Sequence, residues 1–310
     1  MAYSSRMQKN HLYSVFFAPR GFVRMADAGM QIAAHYLSPY DKLIGIIGDS
    51  GSGKSILING MFPGLELTND DDGVNVRPLP LLDVADGESG FYTPHTYHVD
   101  IRFEMAFTQS HELADAIMSA VKLGKRVVVE HFDLIYPFLP MNAHLLIGVG
   151  EEILITRPNL FGPEPADIRK VVYASIPYRR MVHTAEDLCE LALEKQSPPK
   201  YKHADVRHGF ILSFEEEPKI DIPALEADVL EMIAADIPIS YHDERHIMIG
   251  DHKHPCTGPR VHTKSTRAIE SFKLLEKIFV EPITNNYLLV GLVGKASKQR
   301  ISDLNRIIME

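Results

Sequence analysis

The chain contains no tryptophan and only two cysteines, Cys189 and Cys256, in 310 residues. Two thiols exclude a disulfide framework and fit a reducing compartment. No apolar run reaches the length of a membrane span, and the opening stretch "MAYSSRMQKNHLYSVFF" carries no long apolar core of the kind a secretory leader has. Positive charge is in deficit: 32 Lys+Arg against 41 Asp+Glu leave a formal net charge of −9. That balance argues against a surface that coats nucleic acid or adheres to an anionic membrane, although a local basic patch remains compatible with RNA. Internal repeats and low-complexity segments are absent as well. These absences lead to the expectation of a soluble, cytoplasmic protein without a membrane partner. What is present is ordinary globular composition, 45% hydrophobic and 24% charged, over a length that suits two domains or one large one.

The most informative stretch is "GDSGSGKS", residues 48–55, which follows the apolar run "KLIGII" and precedes "ILINGMF". Gly48, Gly53, Lys54 and Ser55 meet the spacing G-x-x-x-x-G-K-[ST]. Gly48, Gly51 and Gly53 lack Cβ atoms, so the backbone from Gly48 through Asp49, Ser50, Gly51, Ser52 and Gly53 is free to curl around one phosphate and present its N–H groups. Lys54 supplies a point charge for the β- and γ-phosphates, and the Ser55 hydroxyl suits a Mg²⁺ ion. A strand before the loop and a helix after it are the context such a loop requires, with the helix aiming its positive end at the anion. ATP or GTP with Mg²⁺ is the ligand this pattern predicts.

Downstream, "HELADAIMSAVKLG" sets Leu113, Ala116, Ile117, Ala120 and Val121 on one helical face, with Gly124 as a stop. "KRVVVEHFDL" then reads as a buried strand over Val127–Val129 that ends in Glu130, with Asp133 three residues on. A carboxylate at the carboxyl end of such a strand polarises the water shell of Mg²⁺, which makes Glu130 a catalytic candidate; a strand-end surface carboxylate is the alternative. The fold class expected for this half is α/β, a parallel-sheet nucleotide-binding domain over residues 1–165.

This half resembles the uridine kinase and phosphoribulokinase group of P-loop kinases, whose loop has the same glycine-serine-glycine-serine-glycine-lysine core. The resemblance implies a pair of aspartates at the end of the next strand acting on the acceptor hydroxyl, with Lys54 and Glu130 as the other catalytic groups. "LELTNDDDG" offers Asp70, Asp71 or Asp72 for that role, or else a solvated acidic turn. A lid with its arginine set is the part of the family pattern with least chain to supply it; Arg157, Arg169, Arg179 and Arg180 are available, and none sits in a lid motif.

"RPNLFGPEPAD" (157–167) is rich in Pro and Gly and reads as the linker. Beyond it, over 170–310, three pieces resemble the second additional domain of alanyl- and threonyl-tRNA synthetases and its free-standing editing relatives, in the family's order. They are "YRRMVHTAEDLCELAL", "RHGFILSFEEEPKIDIPALEADVLEMIAADIPI" and "CTGPRVHTKSTRAIESFKLLEKI". An α+β fold is implied, with recognition of an amino acid or an aminoacylated tRNA acceptor end. The family motif is a zinc site, carried here onto His183, Asp187, Cys256 and His262. Two ligands at i and i+4 of a helix share one side, and a later loop brings a thiolate and an imidazole. Cys256 lies six residues before His262, where the family has four.

Other readings stay open. With 15 histidines in the chain, chance pairs are easy to find, and His242, His246, His252 and His254 are equally compatible with a solvated loop. Asp187 also suits a first-turn carboxylate favouring the helix dipole, and Cys189 a core position. "QSPPKYKHADVRH" (196–208) reads as a loop, and "SKQRISDLNRII" as a short terminal helix with Ile301, Leu304, Ile307 and Ile308 turned inward. Two functions emerge: a kinase-like phosphoryl-transfer enzyme or NTPase whose editing-type domain recognises an amino acid or aminoacyl-tRNA end, or a metal-dependent aminoacyl-tRNA deacylase or sensor in which nucleotide binding drives a conformational change.

Overall fold

The computed structural model describes residues 13–68, 79, 81–82, 95–256, 258, 261–299 and 301–305. The chain is mixed α/β and divides into two compact units, the first formed by residues 1–18 and 25–174, the second by residues 19–24 and 175–310. Among the described residues no helix is long and apolar enough to cross a membrane.

The first unit contains β1 (Ser14–Phe17), most of α1 (Phe22–Tyr36), β2 (Leu43–Gly48), α2 (Lys54–Met61), β3 (Thr96–Asp100), α3 (Ile101–Glu104), α4 (Ser110–Lys122), β4 (Arg126–Glu130), α5 (Phe132–Ile135), β5 (Leu145–Val149), β6 (Glu152–Thr156) and the start of α6 (Pro165–Leu193). Its six-stranded sheet has the order β1-β6-β5-β2-β4-β3. β3, β4, β2 and β5 run parallel, and β6 and β1 complete the sheet antiparallel. β2 is buried at all six positions, as a central strand covered on both faces must be, which explains its unbroken apolar "LIGIIG". From β2 the chain travels out to β3, returns through β4 beside β2, and then crosses to β5 on the other side. The crevice at the carboxyl end of β2 is therefore the place where strand order reverses, the usual ligand position in open α/β sheets.

The helix expected over 111–124 is α4, with Leu113, Ala116, Ile117 and Ala120 buried and Gly124 at φ 77° just beyond it. The stretch 157–167 lies within the first unit, and α6 crosses from one unit to the other at Ala174–Ser175, less than a turn before Pro177. Pro177 has no N–H to donate back along the helix, which removes one backbone bond there.

The second unit holds the rest of α6, β7 (Tyr201–Val206), β8 (Gly209–Phe214), α7 (Ile222–Ala234), the meander β9 (Ile239–Asp243), β10 (His246–Ile249) and β11 (His252–Pro255), then β12 (Lys273–Leu274), β13 (Phe279–Val280) and β14 (Tyr287–Leu292). One sheet runs β12-β14-β8-β7 with β13 on β14, and the other β11-β10-β9. Val182, Ala185, Leu188, Cys189 and Ala192 of α6 pack with Phe210, Leu212 and Phe214 of β8 and with Leu225 and Val229 of α7. Cys189 is thus a core thiol. One sequence expectation changes here: residues 201–206 form an edge strand, not a loop. Of the readings left open for His242, His246, His252 and His254, the structure shows a meander over 239–255 with His254 buried and His242 and His252 exposed. At the carboxyl end the described residues form a 3-10 turn over Ile301–Asp303, with Leu304 buried and Ile301 about half exposed; 307 and 308 lie outside the described residues.

Candidate functional site

The glycine-rich loop spans the end of β2 and the first turn of α2. Gly51 and Gly53 sit at φ 75° and 90°, conformations that side chains strain to adopt, and a Cβ on Gly48 would stand 2.7 Å from both the Ser52 hydroxyl and the Val149 carbonyl. The loop closes on itself through Ser52 N–H to the Asp49 carbonyl (3.2 Å), Ser50 N–H to Asp49 Oδ1 (2.8 Å) and Lys54 Nζ to the Asp49 carbonyl (3.1 Å).

Glu130 arrives from β4, the neighbour of β2, in register with Ile46. Ser55 Oγ donates to Glu130 Oε1 (3.2 Å) and Lys54 Nζ lies 3.5 Å from Oε2. The structure therefore brings Glu130 to the adjacent pair Lys54 and Ser55, 75 positions beyond Ser55 in the sequence. Glu130 is 2% exposed. Burial would raise its pKa, but the hydrogen bond from His98 and the charge of Lys54 outweigh it and hold the carboxyl at about 2. His98 is fixed in turn. Thr68 N–H donates to its Nδ1 (2.9 Å), so Nε2 carries the proton and donates to Glu130 Oε1 (3.2 Å).

Asp70 and Asp71, with Asp72, lie outside the described residues. Among the described residues the strand that follows α2 is β3, and it ends in Asp100, paired in register with Glu130. Burial, and then the Glu130 charge, raise the Asp100 pKa, while its Oδ1 accepts the Phe103 N–H as the cap of α3. Ligand atoms of Asp100, Glu130 and His131 lie within 4.8 Å of one another, a grouping that suits a hard cation beside the loop. His131 adopts φ 56°, and burial together with Lys54 lowers its pKa to about 4. Sequence reading missed His98 and Asp100 because a single His and a single Asp inside "YHVDI" carry no spacing signal.

The four arginines separate. Arg157 is bound to Asp41, at 2.5 Å from Oδ1 and 2.8 Å from Oδ2, and to the Tyr36 carbonyl (2.5 Å), at the amino end of β2 and away from the loop. Arg169 of α6 reaches Asp133 (3.4 Å), near the carboxyl ends of the strands. Arg179 and Arg180 belong to the second unit.

In that unit α6 presents His183, Glu186, Asp187 and Glu190 along one side, the i, i+3, i+4, i+7 spacing of a helix face. Asp187 lies deep in the helix, so a first-turn dipole role for it does not apply. His262 Nε2 is 2.7 Å from Asp187 Oδ2 and 3.8 Å from Cys256 Sγ. Ligand atoms of Asp187, Cys256 and His262 all lie within 4.8 Å of one another. His183 stands beside this set, its ring centroid 6.1 Å from that of His262, and its buried Nδ1 has no hydrogen-bond partner among the described residues. Burial, then Arg179 and Arg20, keep His183 neutral, with a pKa well below the ordinary range. Burial would raise the Cys256 thiol, but His262 and Arg20 lower it overall, toward the thiolate that binds metals. A thiol, an imidazole and a carboxylate converging this closely are a donor set that fits zinc. Thr184 positions the loop: its Oγ1 accepts the Thr263 N–H at 3.0 Å, one residue after His262.

One further cation is present that sequence reading could not find. Arg20 is buried, pairs with Glu186 (2.6 Å), Asp187 and Glu190 (3.3 Å), and reaches Cys256 Sγ at 3.9 Å. Glu186 also meets His203 Nδ1 at 2.8 Å. No family model matches the chain, and no match is found among the curated proteins.

Proposed function

We propose that the protein is a Mg²⁺-dependent ATP- or GTP-binding enzyme, a kinase-like phosphoryl transferase or NTPase of the P-loop kind. The observation that carries this reading is the convergence of Lys54, Ser55 and Glu130 beneath a glycine loop at the carboxyl end of β2. In this reading the loop N–H groups and Lys54 hold the β- and γ-phosphates, and Ser55 with Glu130 would hold the water shell of a Mg²⁺ ion, which would supply positive charge beside the phosphates. The proton of His98 Nε2 keeps Glu130 oriented and ionised. Asp100, in register with Glu130 and with a pKa raised by burial and by the Glu130 charge, is the carboxylate we assign to accept a proton from an acceptor hydroxyl or water. Asp70 and Asp71 stay alternatives for that role.

For the second unit we propose an editing-type domain, similar to that of alanyl- and threonyl-tRNA synthetases, that recognises an amino acid or the aminoacylated end of tRNA. The Asp187, Cys256 and His262 grouping favours a bound zinc, with His183 as the adjacent imidazole. Zinc there would supply a Lewis acid and a water of lowered pKa. The alternative function, an aminoacyl-tRNA deacylase or sensor governed by nucleotide, rests on that same grouping.

The test is nucleoside triphosphate turnover by the purified protein with Mg²⁺, with and without amino acids and tRNA. Turnover that vanishes in Lys54→Ala supports the enzyme reading. Tight nucleotide binding with no turnover under any of these conditions favours the sensor.

A further inference from the structure

The two oxygens of Asp187 face different surroundings. Oδ2 meets His262 (2.7 Å) on the Cys256 side, while Oδ1 meets the Arg20 guanidinium and lies 3.7 Å from His254 Nε2. Glu190 Oε2 is 3.9 Å from the same His254 nitrogen. The His254 side chain is 4% exposed, and neither of its ring nitrogens has a hydrogen-bond partner among the described residues. An imidazole buried without a hydrogen bond is costly, and distances of 3.7–3.9 Å to two carboxylates are too long for hydrogen bonds. They are close to the spacing of neighbouring ligands: atoms about 2.1 Å from a tetrahedral metal stand roughly 3.4 Å apart. Ligand atoms of Asp187, Glu190 and His254 lie within 4.8 Å of one another. Charge points the same way. Three buried or nearly buried carboxylates, Glu186, Asp187 and Glu190, surround the Arg20 guanidinium, and the half-buried His203 ring meets only Glu186 (2.8 Å) and Glu190 (3.5 Å) of the three. A divalent cation would balance the group more fully.

We propose that Asp187 bridges two cation positions. The first is the Cys256–His262 position of the reading above. The second, reached through Oδ1 and closed by Glu190 and His254, takes a divalent first-row transition ion of the zinc class. The Arg20 guanidinium holds the second position when metal is absent, because it engages the same Asp187 oxygen and Glu190. Metal entry and Arg20 are then in competition for one anionic site, and loading it releases Arg20 from α6.

Cobalt(II) titration of the full chain, purified metal-free, separates the two positions. The wild type is expected to bind two equivalents, one of them giving the near-ultraviolet thiolate-to-cobalt charge-transfer band that reports Cys256. His254→Gln is expected to keep that band and bind one equivalent, and Glu190→Gln to behave alike should the first variant fold poorly. Arg20→Gln is expected to tighten the second equivalent about tenfold, the size of one charge-assisted hydrogen bond lost by the competitor. One equivalent with the thiolate band in both wild type and His254→Gln overturns the second position and leaves the first intact. A second equivalent that depends on His254, with no thiolate band, overturns the Cys256 reading alone. No binding overturns both.

Discussion

At the scale of single residues, Glu130 is where the side chains of the candidate nucleotide site meet. It touches Ser55, Lys54 and His98 while almost wholly buried, so its charge is held by partners and not by water. Replacing it with Gln keeps the shape and removes the charge. The variant is expected to bind nucleotide and turn it over about 10²–10³-fold more slowly, the usual loss of one preorganised electrostatic group; steady-state phosphate release measures this, and wild-type turnover would make Glu130 a bystander. The same carboxyl sets a pH dependence. Its folded pKa of about 2 is depressed below the ordinary 4.5, so its contribution to stability is complete above about 4.5 and is lost as pH falls through about 2. The linkage is on the order of 3 kcal/mol, and urea unfolding at pH 5 and pH 3 should show a smaller acid loss in Glu130→Gln than in wild type. Thr184→Val removes the acceptor for the Thr263 N–H beside His262. It is expected to cost about 1–3 kcal/mol in the thermal or chemical unfolding of the second unit and to weaken zinc retention; a zinc content and a melting curve equal to wild type would contradict that positioning role.

At the scale of elements, the loop is held by its neighbours. α1 and α2 approach so closely that a Cβ on Gly60 or on Gly29 would collide with backbone of the other helix. Because α2 begins at Lys54, any separation of this pair shifts Lys54 and Ser55. Gly60→Ala is expected to lose about 1–3 kcal/mol and to weaken nucleotide binding with it; an unchanged melting temperature would contradict the close packing. How much of this was legible in the sequence differed by element. β2, α2, α4 and β4 could be read because each carries its own periodic or apolar signature with a glycine or carboxylate at its end. β7 was hidden by "SPPK" before it and by polar residues on an edge strand, where Lys202 remains exposed. His254 looked like one histidine among many; the alternation of β11 sets it apart from exposed Lys253 and Pro255, but His252 shares its face and stays exposed, so the strand pattern alone does not mark His254 as buried. Arg20 had no local signal at all, since its carboxylate partners lie on α6, 170 positions from it at Glu190. The i and i+4 pair His183 and Asp187 is readable, whereas Glu186 and Glu190 carry no motif of their own and gain meaning only through Arg20 and His203.

At the scale of the whole molecule, the proposed function places a triphosphate site in one compact unit and an amino-acid or aminoacyl-end site, beside a group of residues able to hold a metal, in the other. A function that uses both predicts that nucleotide turnover changes when amino acids or tRNA are added, and turnover indifferent to both would separate the two activities. The central claim is narrower, that the loop and Glu130 form a Mg²⁺–nucleoside triphosphate site. Isothermal titration of Mg–ATP and Mg–GTP into the full chain, wild type against a Lys54→Ala variant shown by circular dichroism to be folded, tests it most directly. The account predicts stoichiometric binding of one of the two nucleotides to wild type and a loss of roughly ten- to a hundredfold in affinity in the variant, the worth of one charge-assisted contact; equal affinity in the two proteins, or no binding of either nucleotide to wild type, would contradict it.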